Sequence, residues 1–200
     1  MHQIYTTPAY VLKSYSNKEA NKTLVLLTKD FGLIRVIAQG IRLEKSKHRF
    51  ALQDFSNVEV SLVKGRAGWR LTSAKANSNI YQEIENQDLF QVVVRIFLLL
   101  DRLIQGEEEN QDLYSIIEQG IEFILENKDK NKNGESLDVL DIECVLVLRI
   151  LNNLGYIGNN KNLSFFTINN DLNNEHIEEI KKERISALSE INRALKESHL

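Results

Sequence analysis

The chain has 200 residues, 42% hydrophobic and 26% charged, enough to bury one large core or two small ones. No stretch reaches the roughly 18 uninterrupted apolar residues of a membrane span, and the richest, "VVVRIFLLL" (92–100), is broken by Arg95. One cysteine, Cys144, excludes an internal disulfide, and "MHQIYTTPAYVLKSY" lacks the pattern of a signal peptide, so the expectation is a soluble cytoplasmic chain.

In chain order, the first 80 residues read as strands. "AYVLKSY" (9–15) carries β-branched and aromatic residues with Pro8 at its leading edge, where a missing N–H is tolerated. "TLVLLT" (23–28) and "LIRVIAQG" (33–40) flank "KDFG", a hairpin connection. "SNVEVSLVKG" (56–65) alternates with Val58, Val60 and Leu62 on one face, and "KGRAG" (64–68) turns into "WRLTSAKA" (69–76). Five short strands in so few residues predict a small closed barrel, with the OB-fold as first choice; an SH3-like barrel fits the same pattern. From residue 77 the period lengthens. Helices are predicted over 88–105, 111–127, 136–155 and 175–200, the second with Leu113, Ile116, Ile117, Gly120, Ile121, Ile124 and Leu125 in an i, i+3, i+4 stripe. The class is therefore α+β: a five-stranded OB-fold over 1–78, followed by an all-α domain over 79–200.

The net charge of −3 conceals a division. Residues 1–80 hold thirteen Lys/Arg against five Asp/Glu, a net of +8, whereas the remainder holds twelve against twenty-three, a net of −11. Such asymmetry points to a nucleic-acid-binding module joined to an acidic, partner-binding one. The densest basic run is "GIRLEKSKHRF" (40–50). With it, Arg35, Arg42, Lys45, Lys47, Arg49, Lys64, Arg66 and Arg70 form the candidate phosphate-binding set, since clustered cations give salt-sensitive, sequence-independent affinity. Phe31, Phe50, Phe55 and Trp69 are candidate platforms for base stacking. Each reads first as a core residue, and Trp69, beside the turn and Arg70, is the best exception.

Other chemistry finds little support. "DKNKNGESLDVL" (129–140) opens like a calcium loop at Asp129, Asn131, Asn133 and Gly134 but places Leu140 where the bidentate Glu belongs. One cysteine and four scattered histidines do not make a structural zinc site. No phosphate loop or nucleophile elbow is present, so no catalytic residue, metal or cofactor is assigned. "LSFFTI" (163–168) reads as a loop folding back on the helices, or alternatively as a partner-binding patch on Phe165 and Phe166.

Several stretches together resemble the RecO family of bacterial recombination mediators. They are "AYVLKSY", "LVLLTKDFGLIRVIAQGIR" and "KSKHRFALQDFSNVEV", then "LRILNNLGY" (148–156) and the tail "INRALKESHL". The resemblance implies a non-enzymatic DNA repair protein that binds single- and double-stranded DNA, anneals strands, and helps load the RecA recombinase. It implies RecR and the single-stranded-DNA-binding protein as partners, and a nucleoid-associated location. Carried onto matching positions, the DNA contacts fall on Arg35, Arg42, Lys45, Lys47 and Arg49, then Arg66 and Arg70. Many members of that family bind zinc through cysteines after "LGY", where this chain has "GNNKNLSFFTINN" and no cysteine. The competing expectations are a protein-interaction adaptor of the same architecture and an RNA-binding OB module.

Overall fold

The structure is a computed structural model that describes residues 3–17, 19–43, 46, 48–129, 138–158, 160–168 and 172–198. Its strands are β1 (Ile4–Asn17), β2 (Asn21–Thr28), β3 (Gly32–Ala38), β4 (Ser56–Gly65) and β5 (Gly68–Asn79). Its helices are α1 (Ile80–Glu83), α2 (Gln87–Leu103), α3 (Gln111–Glu126), α4 (Val139–Asn153), α5 (Ser164–Ile168) and α6 (Asn174–Glu197). The chain forms two compact units: Met1–Glu83 with Ile104–Tyr114, and Ile84–Leu103 with Ser115–Leu200. The barrel unit thus takes in a segment, Ile104–Tyr114, beyond the 1–78 range read from the sequence.

The five strands close in the order β1-β2-β3-β5-β4, antiparallel except for a short parallel seam of β3 on β5. This five-stranded Greek-key barrel is the OB-fold, which decides between the two barrels the pattern allowed. β1 is long because it serves two partners: Ile4–Tyr10 pair with β4 and Ala9–Asn17 with β2. A bulge between Val11 and Lys13 bends it from one to the other. Alternation in β4 sends Val58, Val60 and Leu62 inward to meet Val11, Leu24, Leu26, Ile34 and Val36. Ile41 and Leu52, both from the β3–β4 connection, complete this core.

Part of the barrel's outer surface is also buried. Tyr10, Leu27 and Leu33 form one cross-strand row and are all nearly inaccessible. The returning segment lies on this side, with the Tyr114 ring 5.6 Å from that of Tyr10. At Gly32 (φ +62°) a Cβ would collide with the Glu108 carbonyl, so the close backbone approach requires glycine there.

In the helical unit, α4 is the central helix, with ten of its fifteen residues buried. Asp138 caps it by accepting from Leu140 N, and its Asp141, fully buried, accepts from Arg184 of α6 at 2.7 Å. Desolvation pushes the Asp141 carboxyl above the usual range despite the opposing pull of Arg184, and burial pushes the Cys144 thiol up to about 11. The "LSFFTI" stretch is a short helix, α5, rather than a loop. Phe166 is buried and its carbonyl accepts from Arg149 Nε at 2.8 Å, while Phe165 is half-exposed and stacks on His176. In the calcium-loop reading, Asn131, Asn133 and Gly134 lie outside the described residues. Among the described residues no cluster of His, Cys, Asp or Glu is arranged to hold a metal, and no helix is long and apolar enough to cross a membrane.

Candidate nucleic-acid interface

The barrel's outer face can be read row by row from strand register, because residues two apart on a strand share a face. Beyond the buried Tyr10–Leu27–Leu33 row come Lys13, Val25 and Arg35, directly opposite one another on β1, β2 and β3. The next row is Tyr15, Thr23, Ile37 and Arg70, which continues onto β5 through the parallel seam. The face therefore grades along the strands from covered and apolar to partly open, with Val25 still fully buried between Lys13 and Arg35 and the exposed side chains at the row ends. Arg35 and Arg70 are exposed, and Tyr15 keeps nearly half its surface in solvent.

The connections add cations at the borders of this face. Arg42 N donates to Ala20 O at 3.1 Å and Gly40 N to Asn21 Oδ1 at 2.9 Å, which pins Arg42 beside the β1–β2 turn. Arg66 sits in the two-residue turn between the paired Gly65 and Gly68. The Val36–Trp69 register, taken one residue back, sets that turn alongside Arg35. Both arginines are exposed. In OB-folds the strand 2–3 face and the 1–2 and 4–5 loops form the ligand surface. Arg35 lies on β3, Arg70 on the adjoining β5, Arg66 in the β4–β5 turn and Arg42 beside the β1–β2 turn.

The remaining expected residues fare differently. Arg49 is exposed on the β3–β4 connection, which is held by Leu52 N donating to His48 O and by the His48 ring against Ala74 O. No strand register ties Arg49 to the cationic rows. Lys45 and Lys47 lie outside the described residues. Trp69 is a correction. It is 3% exposed, belongs to the barrel core, and packs against Tyr5 and Phe31 at 5.7 and 4.9 Å. Alternation forces this, since Arg70 faces out, and a ring so enclosed offers no base a stacking surface. Phe31 belongs to the same cluster, while Phe50 is 77% exposed next to Arg49.

Lys64 is engaged within the unit. It lies 5.0 Å from the Trp69 ring centroid and 2.9 Å from Glu107 Oε2, which also accepts from the Trp69 indole. The Lys64 hydrogen bond, aided by the indole, holds the Glu107 carboxyl below its usual range. Lys13 and Tyr15, absent from the sequence-derived set, join it here. Their i, i+2 spacing marked a common face, but the bulge that decides which face cannot be read from "AYVLKSY".

Comparison with known proteins agrees with this architecture. Residues 1–79 match the family model described as recombination protein O, N terminal. Two curated relatives, each named DNA repair protein RecO, come from Desulfitobacterium hafniense strains DSM 10664 / DCB-2 and Y51. Each is 23% identical over 153 residues, covering 76% of this chain and 52% of the relative. The chain thus spans about half the length of the relatives it matches. The likeness is thus to RecO proteins, and the family match covers the barrel, residues 1–79.

Proposed function

We propose that this chain is a DNA repair and recombination mediator whose barrel holds DNA by its phosphates. The observation that carries this reading is the outward placement of Arg35 and Arg70 on adjoining strands, bordered by Arg42 and Arg66. Each phosphate neutralised releases condensed counterions, so such a face binds any sequence and weakens with salt. Two strands repel each other through their phosphates. A protein that masks those charges while leaving base edges free lowers the barrier to pairing, which accounts for strand annealing without a catalytic residue. The name of the relatives supports a repair role. With it come duplex as well as single-stranded DNA, RecR, the single-stranded-DNA-binding protein and assistance to RecA loading, the partners belonging to the helical unit.

The test is a titration of labelled oligo-dT with the full chain at several salt concentrations. Contacts from Lys13, Arg35 and Arg70 alone predict a slope of log K against log salt near −2, at about 0.7 per contact. Absence of binding at low salt would instead assign the barrel to a protein-interaction adaptor.

A further inference from the structure

We infer that Tyr15 is a base-stacking residue of this face. The inference rests on the phosphate-binding reading above and adds to it the part that bases play. Tyr15 is 46% exposed, although it stands within a strand, paired with Thr23 of β2, rather than on a loop. Its register is fixed: Tyr15 opposite Thr23, Thr23 opposite Ile37, Ile37 opposite Arg70. The ring therefore starts from a backbone position fixed by the ladder, at one end of a row whose other end, Arg70, is about three strand spacings, roughly 14 Å, away along the backbone. Lys13 Nζ lies over the ring, 5.1 Å from its centroid, so a cation sits on one face of the ring and a base stacks on the other.

Aromatic rings between cations are what unpaired bases require. Each base presents a π-face to stack on, and each phosphate a charge to meet, in a groove that need not read sequence. In a duplex those faces are hidden in the stack, leaving only phosphates and groove edges to contact. Phe50 and Tyr81 are also exposed in this unit, but neither lies in register with the cations. Ile37, half-buried between Thr23 and Arg70, gives the row an apolar middle against which a second base can lie.

The experiment compares oligo-dT with an abasic oligomer of the same phosphate count, using the full chain. The wild-type chain is expected to bind oligo-dT about five- to hundredfold more tightly than the abasic strand, the worth of one stacked base. Tyr15→Leu, which keeps an apolar strand residue, should lose that difference while its salt slope stays unchanged. Tyr15→Phe should retain it, and Phe50→Ala should leave it intact. If oligo-dT binds with the expected salt dependence but Tyr15→Leu binds as tightly as wild type, stacking at Tyr15 is overturned and the phosphate reading survives. Equal affinity of the wild type for both strands overturns it as well. If neither strand binds at low salt, both readings fall together.

Discussion

The Glu107 carboxylate accepts from Lys64 Nζ at 2.9 Å and from the Trp69 indole at 3.0 Å, and this arrangement engages one cation of the proposed DNA-binding set within the barrel unit. A carboxyl held below its usual range adds stability above that range and loses it as pH falls through the lowered value. Both partners are substantially exposed, so the contribution to stability is small. The consequence for binding is larger. Glu107→Gln keeps an acceptor for the indole but releases Lys64 as a charge, and is expected to tighten oligo-dT binding and steepen its salt slope by about 0.7. An unchanged slope would place Lys64 away from the bound strand. At this scale the sequence was least informative. Trp69 looked like an exposed platform because it adjoins Arg70, yet adjacency on a strand means opposite faces. Which face is which depends on the β3–β5 seam, a pairing more than thirty residues apart in the chain.

Among the elements, the helices were legible because their apolar stripes repeat over several turns. Gly120 even falls within the stripe of α3, and the structure gives the reason: a Cβ there would stand 2.5 Å from Leu146 Cδ2 of α4. Gly120→Val is therefore expected to destabilise the helical unit by about 1–3 kcal/mol through overpacking, measured by chemical unfolding. Stability equal to wild type would mean that Leu146 moves aside without cost. α5 escaped notice because five residues are too few to show a period. The Ile104–Tyr114 segment escaped for a different reason. "GEEENQD" has the composition of a solvated linker, and what holds its backbone to Gly32 is the missing side chain of a glycine 76 residues earlier. The alternation of β4 and the two glycine-bearing turns, by contrast, placed the barrel strands almost where they are found.

For the whole molecule, the charge division survives folding in weaker form. The barrel unit as folded takes in Glu83, Glu107, Glu108, Glu109 and Asp112, which lowers its net charge from the +8 of residues 1–80 to +3. A unit so nearly balanced does not attract DNA by net charge alone, and its grip depends on where the arginines stand. In the reading proposed above, Arg35 and Arg70 bear that weight. The most direct measurement is the salt dependence of oligo-dT binding by the full chain carrying Arg35→Ala and Arg70→Ala together. Its control is Lys181→Ala with Lys182→Ala, which removes the same charge from exposed positions on α6. The arginine pair is expected to flatten the slope by about 1.4, at 0.7 for each contact, while the lysine pair leaves it unchanged. Equal slopes in both folded variants would contradict a DNA-binding face on β3 and β5.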